Sequence, residues 1–277
     1  MRRQTFGLSL LCAALFMTAV PMAAQQDSVK IGEDKPLVIL GREEERCLTL
    51  LEQLKSSATD NDYRAVPMIQ TQPMPFELPV VEEGKQPVFL FTSPRAVEYF
   101  VAQDSLPKGA KVMALGTGTQ KAIEESGYKC DLVSSVETTK GMAEELLKYF
   151  EASEKPIGAY HFIQPTCDIA GDFIQKTLEG AGATYTRLEI YQVVGHPALS
   201  EELSQLTQEP KVVLFYSPSG VRSWVGVSDL RPAVVSIGPV TSKELRDNGF
   251  TTIYESPTPH EEDLLATLLN AFSEADK

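Results

Sequence analysis

Three stretches of this 277-residue sequence recur later in the chain in the same order. Phe91-Thr92-Ser93-Pro94-Arg95-Ala96-Val97 lines up with Phe215-Tyr216-Ser217-Pro218-Ser219-Gly220-Val221. Leu115-Gly116-Thr117-Gly118-Thr119-Gln120-Lys121 lines up with Ile237-Gly238-Pro239-Val240-Thr241-Ser242-Lys243. Gly127 follows Gly116 by 11 residues, and Gly249 follows Gly238 by 11. SSVETTKGMAEELL (134–147) is then answered by YESPTPHEEDLLATLL (254–269). Three elements in one order and at near-equal spacing predict two domains of the same build.

The residue pattern gives the build. Short β-rich runs occur at 36–40, 87–91, 111–115, 159–163, 187–194, 211–216, 233–238 and 251–255. Amphipathic segments lie between many of them. EEERCLTLLEQL (43–54) places Cys47, Leu48, Leu51 and Leu54 at helical spacing, and 141–152 and 260–272 read the same way. Apolar strands alternating with helices predict an α/β fold of parallel sheets covered by helices. Pro-rich YRAVPMIQTQPMPFELPV (63–80) interrupts the alternation and reads as an extended connector. The length is sufficient for two domains, each with its own core.

Each repeated element is a strand end entering a helix start. Ser93 and Ser217 suit the N-cap, whose hydroxyl accepts from a first-turn amide. Pro94 and Pro218 suit the first helical position, where a missing amide costs nothing. Thr258-Pro259-His260-Glu261 has the form of a capping box. Capping alone accounts for these residue types. Ligand binding is an additional role: the carboxyl ends of parallel strands are where such folds bind, and helix N-termini there attract anions. Gly116, Gly118, Gly220 and Gly238 let a ligand approach the backbone. Two such domains with these ends facing each other would form a cleft for a polyanion lined by amides and hydroxyls.

Charge and motif content exclude several functions. The formal net charge is -13, which argues against a nucleic-acid face and against a polybasic membrane patch. The four cysteines form no CxxC pair, so a zinc site or a dithiol centre has no sequence support. GTGTQKA (116–122) opens like a dinucleotide loop, with Glu137 at a suitable distance, but Lys121 stands where the third glycine belongs. At the N-terminus, Arg2 and Arg3 precede an apolar run and Ala23-Ala24, the layout of a signal-like or targeting segment over residues 1–25.

With the repeat in view, the residues resemble uroporphyrinogen-III synthases. FTSPRAVEYF (91–100) is similar to an element of that family's first repeat half. LEIYQVVGHP (188–197), LFYSPSGV (214–221), SIGPVTSKEL (236–245) and YESPTP (254–259) are similar to consecutive blocks of the second. The resemblance implies two similar parallel-sheet α/β domains joined by a two-stranded connector, with the ligand cleft between them. Domain 1 would be discontinuous, 36–74 plus 195–277, and domain 2, 78–190, would be inserted.

The implied reaction cyclises hydroxymethylbilane to uroporphyrinogen III, with inversion of the last pyrrole ring and loss of water. It implies a lyase of tetrapyrrole (haem) biosynthesis with no cofactor or metal. Its partner would be a linear polycarboxylate tetrapyrrole and not nucleic acid, and the protein a cytoplasmic monomer. Tyr191 matches the family's proposed acid, although a packed aromatic at a domain junction fits the same residue. The substrate-binding residues implied are Thr92, Ser93, Arg95, Gly116, Gly118, Thr119, Ser217, Ser219, Gly220 and Thr241. Val240, Cys167 and the ILGREEE turn (39–45) depart from the usual pattern. Two other readings stay open: an exported two-domain binding protein, suggested by the leader, and a homologue that has lost catalysis. The leader equally allows membrane anchoring or organelle targeting.

Overall fold

Each half of the repeat builds its own sheet. A computed structural model of the chain describes residues 35–57, 59–136 and 138–275, so the signal-like segment 1–25 lies outside the described residues. The order begins β1 (Leu37–Leu40), a 3-10 turn at Glu44–Arg46, α1 (Leu48–Ser56), β2 (Asp62–Ala65) and β3 (Ile69–Pro73). Next come β4 (Gln86–Phe91), α2 (Pro94–Val101), β5 (Lys111–Leu115), α3 (Gly116–Glu125), β6 (Leu132–Ser134) and α4 (Thr139–Glu151). They are followed by β7 (Tyr160–Cys167), α5 (Phe173–Gly180) and β8 (Thr184–Gly195). The chain then runs through α6 (Leu199–Ser204), β9 (Val212–Phe215), α7 (Pro218–Val225), β10 (Ala233–Ser236), α8 (Pro239–Asp247), β11 (Ile253–Glu255) and α9 (Glu261–Ala275).

The first sheet has the order β11-β10-β9-β1-β2 and is parallel throughout. The second has the order β3-β8-β7-β4-β5-β6, parallel except where β3 runs antiparallel to β8. Without β3 the two orders superimpose: β4, β5 and β6 take the places of β9, β10 and β11, while β7 and β8 take those of β1 and β2. The pair that opens the first sheet therefore closes the second. The first sheet takes strands from both ends of the described chain, and the second sheet lies in the chain between them.

Helices cover both faces of each sheet, and that is why the central strands are apolar on both sides. On one face of the first sheet Val38, Leu40, Val212 and Leu214 pack with Leu50, Leu51 and Leu54 of α1 and with Leu264, Leu268 and Phe272 of α9. On the other, Ile39, Val213 and Phe215 meet Trp224 of α7 and Leu245 of α8. In the second sheet Phe89 and Phe91 pack with Phe100 of α2 and Ile123 of α3, while Val88 and Leu90 face Leu146 and Phe150 of α4.

The structure differs from the sequence expectations at the edges. The stretch 63–80, expected as a connector, contributes most of β2 and all of β3, and three-residue β6 had no signal at all. These three are edge strands: β2 and β3 carry exposed or half-buried polar residues, as in IQTQP, and β6 is too short, at three residues, to make an apolar run. The helix expected over 43–54 begins only at Leu48, after the 3-10 turn; its buried face carries Leu50, while Leu48 is exposed. The capping box is absent as well. α9 starts at Glu261, and the His260 carbonyl accepts from the Leu264 amide. Thr258 instead donates to the Asp263 carboxylate and accepts from the His260 amide. The repeat explains this shift. Ser134 and Ser256 are both buried and each donates to a carbonyl two residues on, and four residues after each stand Thr138 and His260. Thr138 caps α4, and His260 holds the equivalent place before α9.

Trp224, the chain's single tryptophan, has no exposed surface, stands edge-on to Phe215 with centroids 5.8 Å apart, and donates to the Leu230 carbonyl at 3.0 Å. Trp224→Ala is expected to destabilise by about 3–5 kcal/mol, read by urea denaturation followed by circular dichroism.

Candidate active site in the cleft along the connector ladder

The antiparallel ladder pairs Ile69 with Gly195, Thr71 with Val193 and Pro73 with Tyr191. Directly paired residues and their i, i+2 neighbours share a face, so these six side-chain positions form one surface. Two hollows open along it. One, of about 440 Å³, is lined by Ile69, Thr71, Tyr191 and Val193 of the ladder, by Ser93, Pro94, Arg95 and Glu98 at the start of α2, and by Arg46. The other, of about 320 Å³, shares Ile69 and Val193 and reaches Ser219, Arg222 and Ser223 on α7. The ladder thus forms a floor between a helix start of the second sheet and a helix of the first.

Both helix starts form as the sequence dictates. Ser93 is extended, and its Oγ accepts from the Ala96 amide at 3.2 Å; Ser217 is likewise extended, and its Oγ accepts from the Gly220 amide at 3.1 Å. Pro94 and Pro218 occupy the first turn. Strand order supplies the rest. β4 and β7 are neighbours in one sheet, β9 and β1 in the other, and in each pair the connections leave in opposite directions, which opens a crevice at the carboxyl ends. Thr92 and Ser93 follow β4, Ser217 follows β9, and Gly41 and Arg42 follow β1.

Tyr191 is 7% exposed and its ring stacks on Tyr99 at 5.2 Å. Tyr99 is held in turn by Thr71, whose Oγ1 lies 2.9 Å and whose carbonyl lies 3.1 Å from the Tyr99 hydroxyl. The Tyr191 hydroxyl lies 3.4 Å from Ser93 Oγ. Burial pushes the Tyr191 phenol above its ordinary value; the Ser93 contact works against this, and the neighbouring Cys167 thiol adds to it. The raised value keeps the phenol protonated and makes it a weaker acid than a free tyrosine, in keeping with its packed position.

Of the sequence-predicted residues, Ser93, Arg95 and Tyr191 line the first hollow and Ser219 the second. Thr92, Ser217, Gly116, Gly118, Thr119, Gly220 and Thr241 line neither. Thr119 and Thr241 are each only 2% exposed, enclosed in the first turns of α3 and α8. Gly116 is buried and takes a left-handed φ of 75°, which lets α3 begin directly at the end of β5. Gly118 is exposed near Pro94, so the starts of α2 and α3 are adjacent. Sequence reasoning missed Thr71, Tyr99, Arg46, Glu98, Arg222 and Ser223. The alternation in IQTQP was the only signal for Thr71. Among the described residues no three His, Cys, Asp or Glu side chains gather into a metal-ligand group, and no helix is long and apolar enough to cross a membrane.

These features define a class: a two-sheet α/β protein whose repeated helix starts flank a cleft floored by an antiparallel connector. The model for uroporphyrinogen-III synthase HemD matches residues 62–266, more than half of the sequence. The chain belongs to the uroporphyrinogen-III synthase family. The solved uroporphyrinogen-III synthetase of Helicobacter pylori is 18% identical with a TM-score of 0.60, over 85% of this chain and 99% of that one. A mutant uroporphyrinogen III synthase of Thermus thermophilus is 18% identical with a TM-score of 0.52, over 87% and 98%. At such identity these likenesses speak for the fold. No curated protein matches the sequence.

Buried protons in both sheets give a pH prediction. Burial raises the phenols of Tyr185, Tyr191 and Tyr216, and lifts the Cys47 thiol to about 11. In the unfolded chain thiols ionise near pH ~8.5 and phenols near ~10, so above these values the unfolded state binds fewer protons. Stability is then full below the thiol value and falls as pH rises beyond it. Thermal midpoints measured from neutral to strongly alkaline pH should decline on this side; a flat profile would contradict the burial of these groups.

Proposed function

We propose that the protein is a cofactor-independent uroporphyrinogen-III synthase acting in the cleft along the β3–β8 ladder. The observation that carries this reading is Tyr191: the residue that matches the family's proposed acid stands on that ladder, 3.4 Å from Ser93 Oγ of the repeated turn. The substrate is a flexible chain of four pyrroles with eight carboxylates. Loss of its terminal hydroxyl as water leaves an azafulvenium that is electrophilic without further help. Attack at the substituted carbon of the last ring gives a spiro intermediate, and fragmentation and closure then yield the inverted ring. The protein's main task is to hold the chain in the geometry that favours this attack over direct closure, a matter of positioning.

The residues divide the work as follows. Tyr191 lends a proton to the departing hydroxyl, and the proton lost from the closing pyrrole carbon restores it. Ser93 orients the phenol. Arg95, the amides at the α2 start and Ser219 receive carboxylates from the two sides of the floor. Gly118, exposed beside Pro94, extends the amide-lined rim. Thr92, Ser217 and Gly220 shape and cap the turns, while Gly116, Thr119 and Thr241 support the helix starts from within. We place the domain boundaries at 36–74 plus 195–277 and at 78–190, with the ladder as connector; sheet membership supports this for every strand but β3, which pairs with β8 in the second sheet. One chain completes the cleft, in keeping with a monomer.

The test is to incubate the full chain with hydroxymethylbilane generated in situ, oxidise the products and separate the isomers. Isomer III formed only in the presence of protein is expected; isomer I alone would overturn the reading. Tyr191→Phe is expected to lower kcat about 100-fold with a smaller change in KM, the usual scale for a lost general acid. An unchanged kcat would remove the acid role and leave the positioning role intact.

A further inference from the structure

The first sheet carries two more guanidinium groups after β1, and one of them, Arg46, lines the opening where Arg95 stands. Arg42 leaves the end of β1 and lays its guanidinium over Tyr216, 4.3 Å from the ring centroid. Its Nε is buried and has no hydrogen-bond partner. One turn later Arg46, in the 3-10 turn, lines the same hollow as Arg95, Ser93 and Tyr191. The Arg46 side chain is 50% exposed, and its ion pair with Glu43 is long, at 3.9 Å. Burial and then the charge of Arg42 lower the Arg46 pKa, Glu43 opposes this, and Arg95 adds a further lowering, so Arg46 lies within electrostatic reach of both other arginines.

This cluster runs against the composition. Acidic residues outnumber basic ones 38 to 25, and several surface cations elsewhere pair with neighbouring acids, as Lys176 does with Asp172 at 2.7 Å and Arg222 with Glu244 at 2.9 Å. The lining of the hollow carries two guanidinium groups, Arg46 and Arg95, and one carboxylate, Glu98; Glu43 lies 3.9 Å from Arg46, and Glu44 and Glu261 stand with Arg42 around Cys47. Arg46 and Arg95 also come from different sheets, on opposite sides of the opening. A carboxylate placed between them would relieve the repulsion and tie the two sheets together through one ligand group.

We propose that Arg46 is a specificity-determining residue that clasps, together with Arg95, a carboxylate side chain of the tetrapyrrole across the cleft, with Arg42 supplying positive field behind it. The proposal rests on the synthase reading for the identity of the ligand but not for the site. It makes carboxylate number a determinant of binding. The clasp also couples the β1–α1 corner of the first sheet to the α2 start of the second when ligand is bound.

Binding of uroporphyrin I, an octacarboxylate, and of coproporphyrin I, a tetracarboxylate, to the full chain can be followed by fluorescence titration. Arg46→Gln is expected to weaken uroporphyrin binding about 10-fold, the scale of one lost charge-assisted contact, and to raise KM more than it lowers kcat. Coproporphyrin binding should fall less. Arg46→Lys should lie between, and Lys55→Gln, the same charge change in the last turn of α1, should leave both affinities intact. Added salt should narrow the gap between wild type and Arg46→Gln. Equal losses in Arg46→Gln and Lys55→Gln would reduce the effect to net charge and overturn the clasp. Isomer III production with unchanged affinity and KM in Arg46→Gln overturns the clasp and leaves the synthase reading standing. Arg46-dependent uroporphyrin binding without isomer III production keeps the clasp and overturns the synthase reading.

Discussion

The site depends on one short set of main-chain hydrogen bonds: the antiparallel pairing of Ile69–Pro73 with the end of the strand Thr184–Gly195. The other strand pairs in both sheets are parallel, and this ladder forms one edge of the second sheet, at the strands through which the chain enters and leaves it. It carries the chain out of the first sheet into the second and back again. Because strand side chains alternate, it also places Tyr191, Val193, Thr71 and Ile69 on one surface. A one-residue slip would turn Tyr191 away from Ser93 and expose the opposite row, Gln70, Gln72 and Gln192, to the cleft. The bond between Gln192 Nε2 and Gln72 Oε1, at 3.2 Å on that opposite row, is one side-chain contact consistent with this register.

Around this floor, the two sheets offer complementary chemistry. The second sheet brings the capped start of α2 with Ser93 and Arg95; the first brings Ser219 and Arg222 on α7 and the arginines after β1. An acidic protein can receive a polycarboxylate because the binding groups are local: backbone amides at helix starts and a few cations gathered at one mouth. The absence of a dense catalytic constellation suits a reaction whose intermediate is reactive without assistance. In such chemistry, holding the substrate in shape accounts for the selectivity.

Much of the fold was legible in the sequence because its strongest signals are local. Continuous apolar runs marked the central strands, and Ser-Pro pairs marked the two helix starts with the caps that form. The repeat showed that there would be two sheets. What the sequence hid is non-local. Edge strands β2, β3 and β6 are short and carry polar or half-buried residues, so no continuous apolar run announces them. The permuted strand order, with β7 and β8 replacing β1 and β2, follows from the pairing of distant segments. At the site, Tyr191, Ser93, Arg95 and Ser219 were readable from their motifs, but Thr119 and Thr241 proved enclosed in their helix turns. Arg46 was missed because nothing in GREEER says which side of the 3-10 turn will face another sheet. The exchange of Thr258 for His260 before α9 shows the limit of a motif read alone: the register set by Ser256 decided the helix start.

The central claim is that one ligand spans the ladder and touches both sheets. Hydrogen–deuterium exchange of the full chain, with and without uroporphyrin I, tests it directly. The account predicts simultaneous ligand-induced protection of the amides at the start of α2 (residues 94–97) and on α7 (residues 218–223), together with the ladder strands. Protection confined to one sheet, or absent from the ladder, would contradict it.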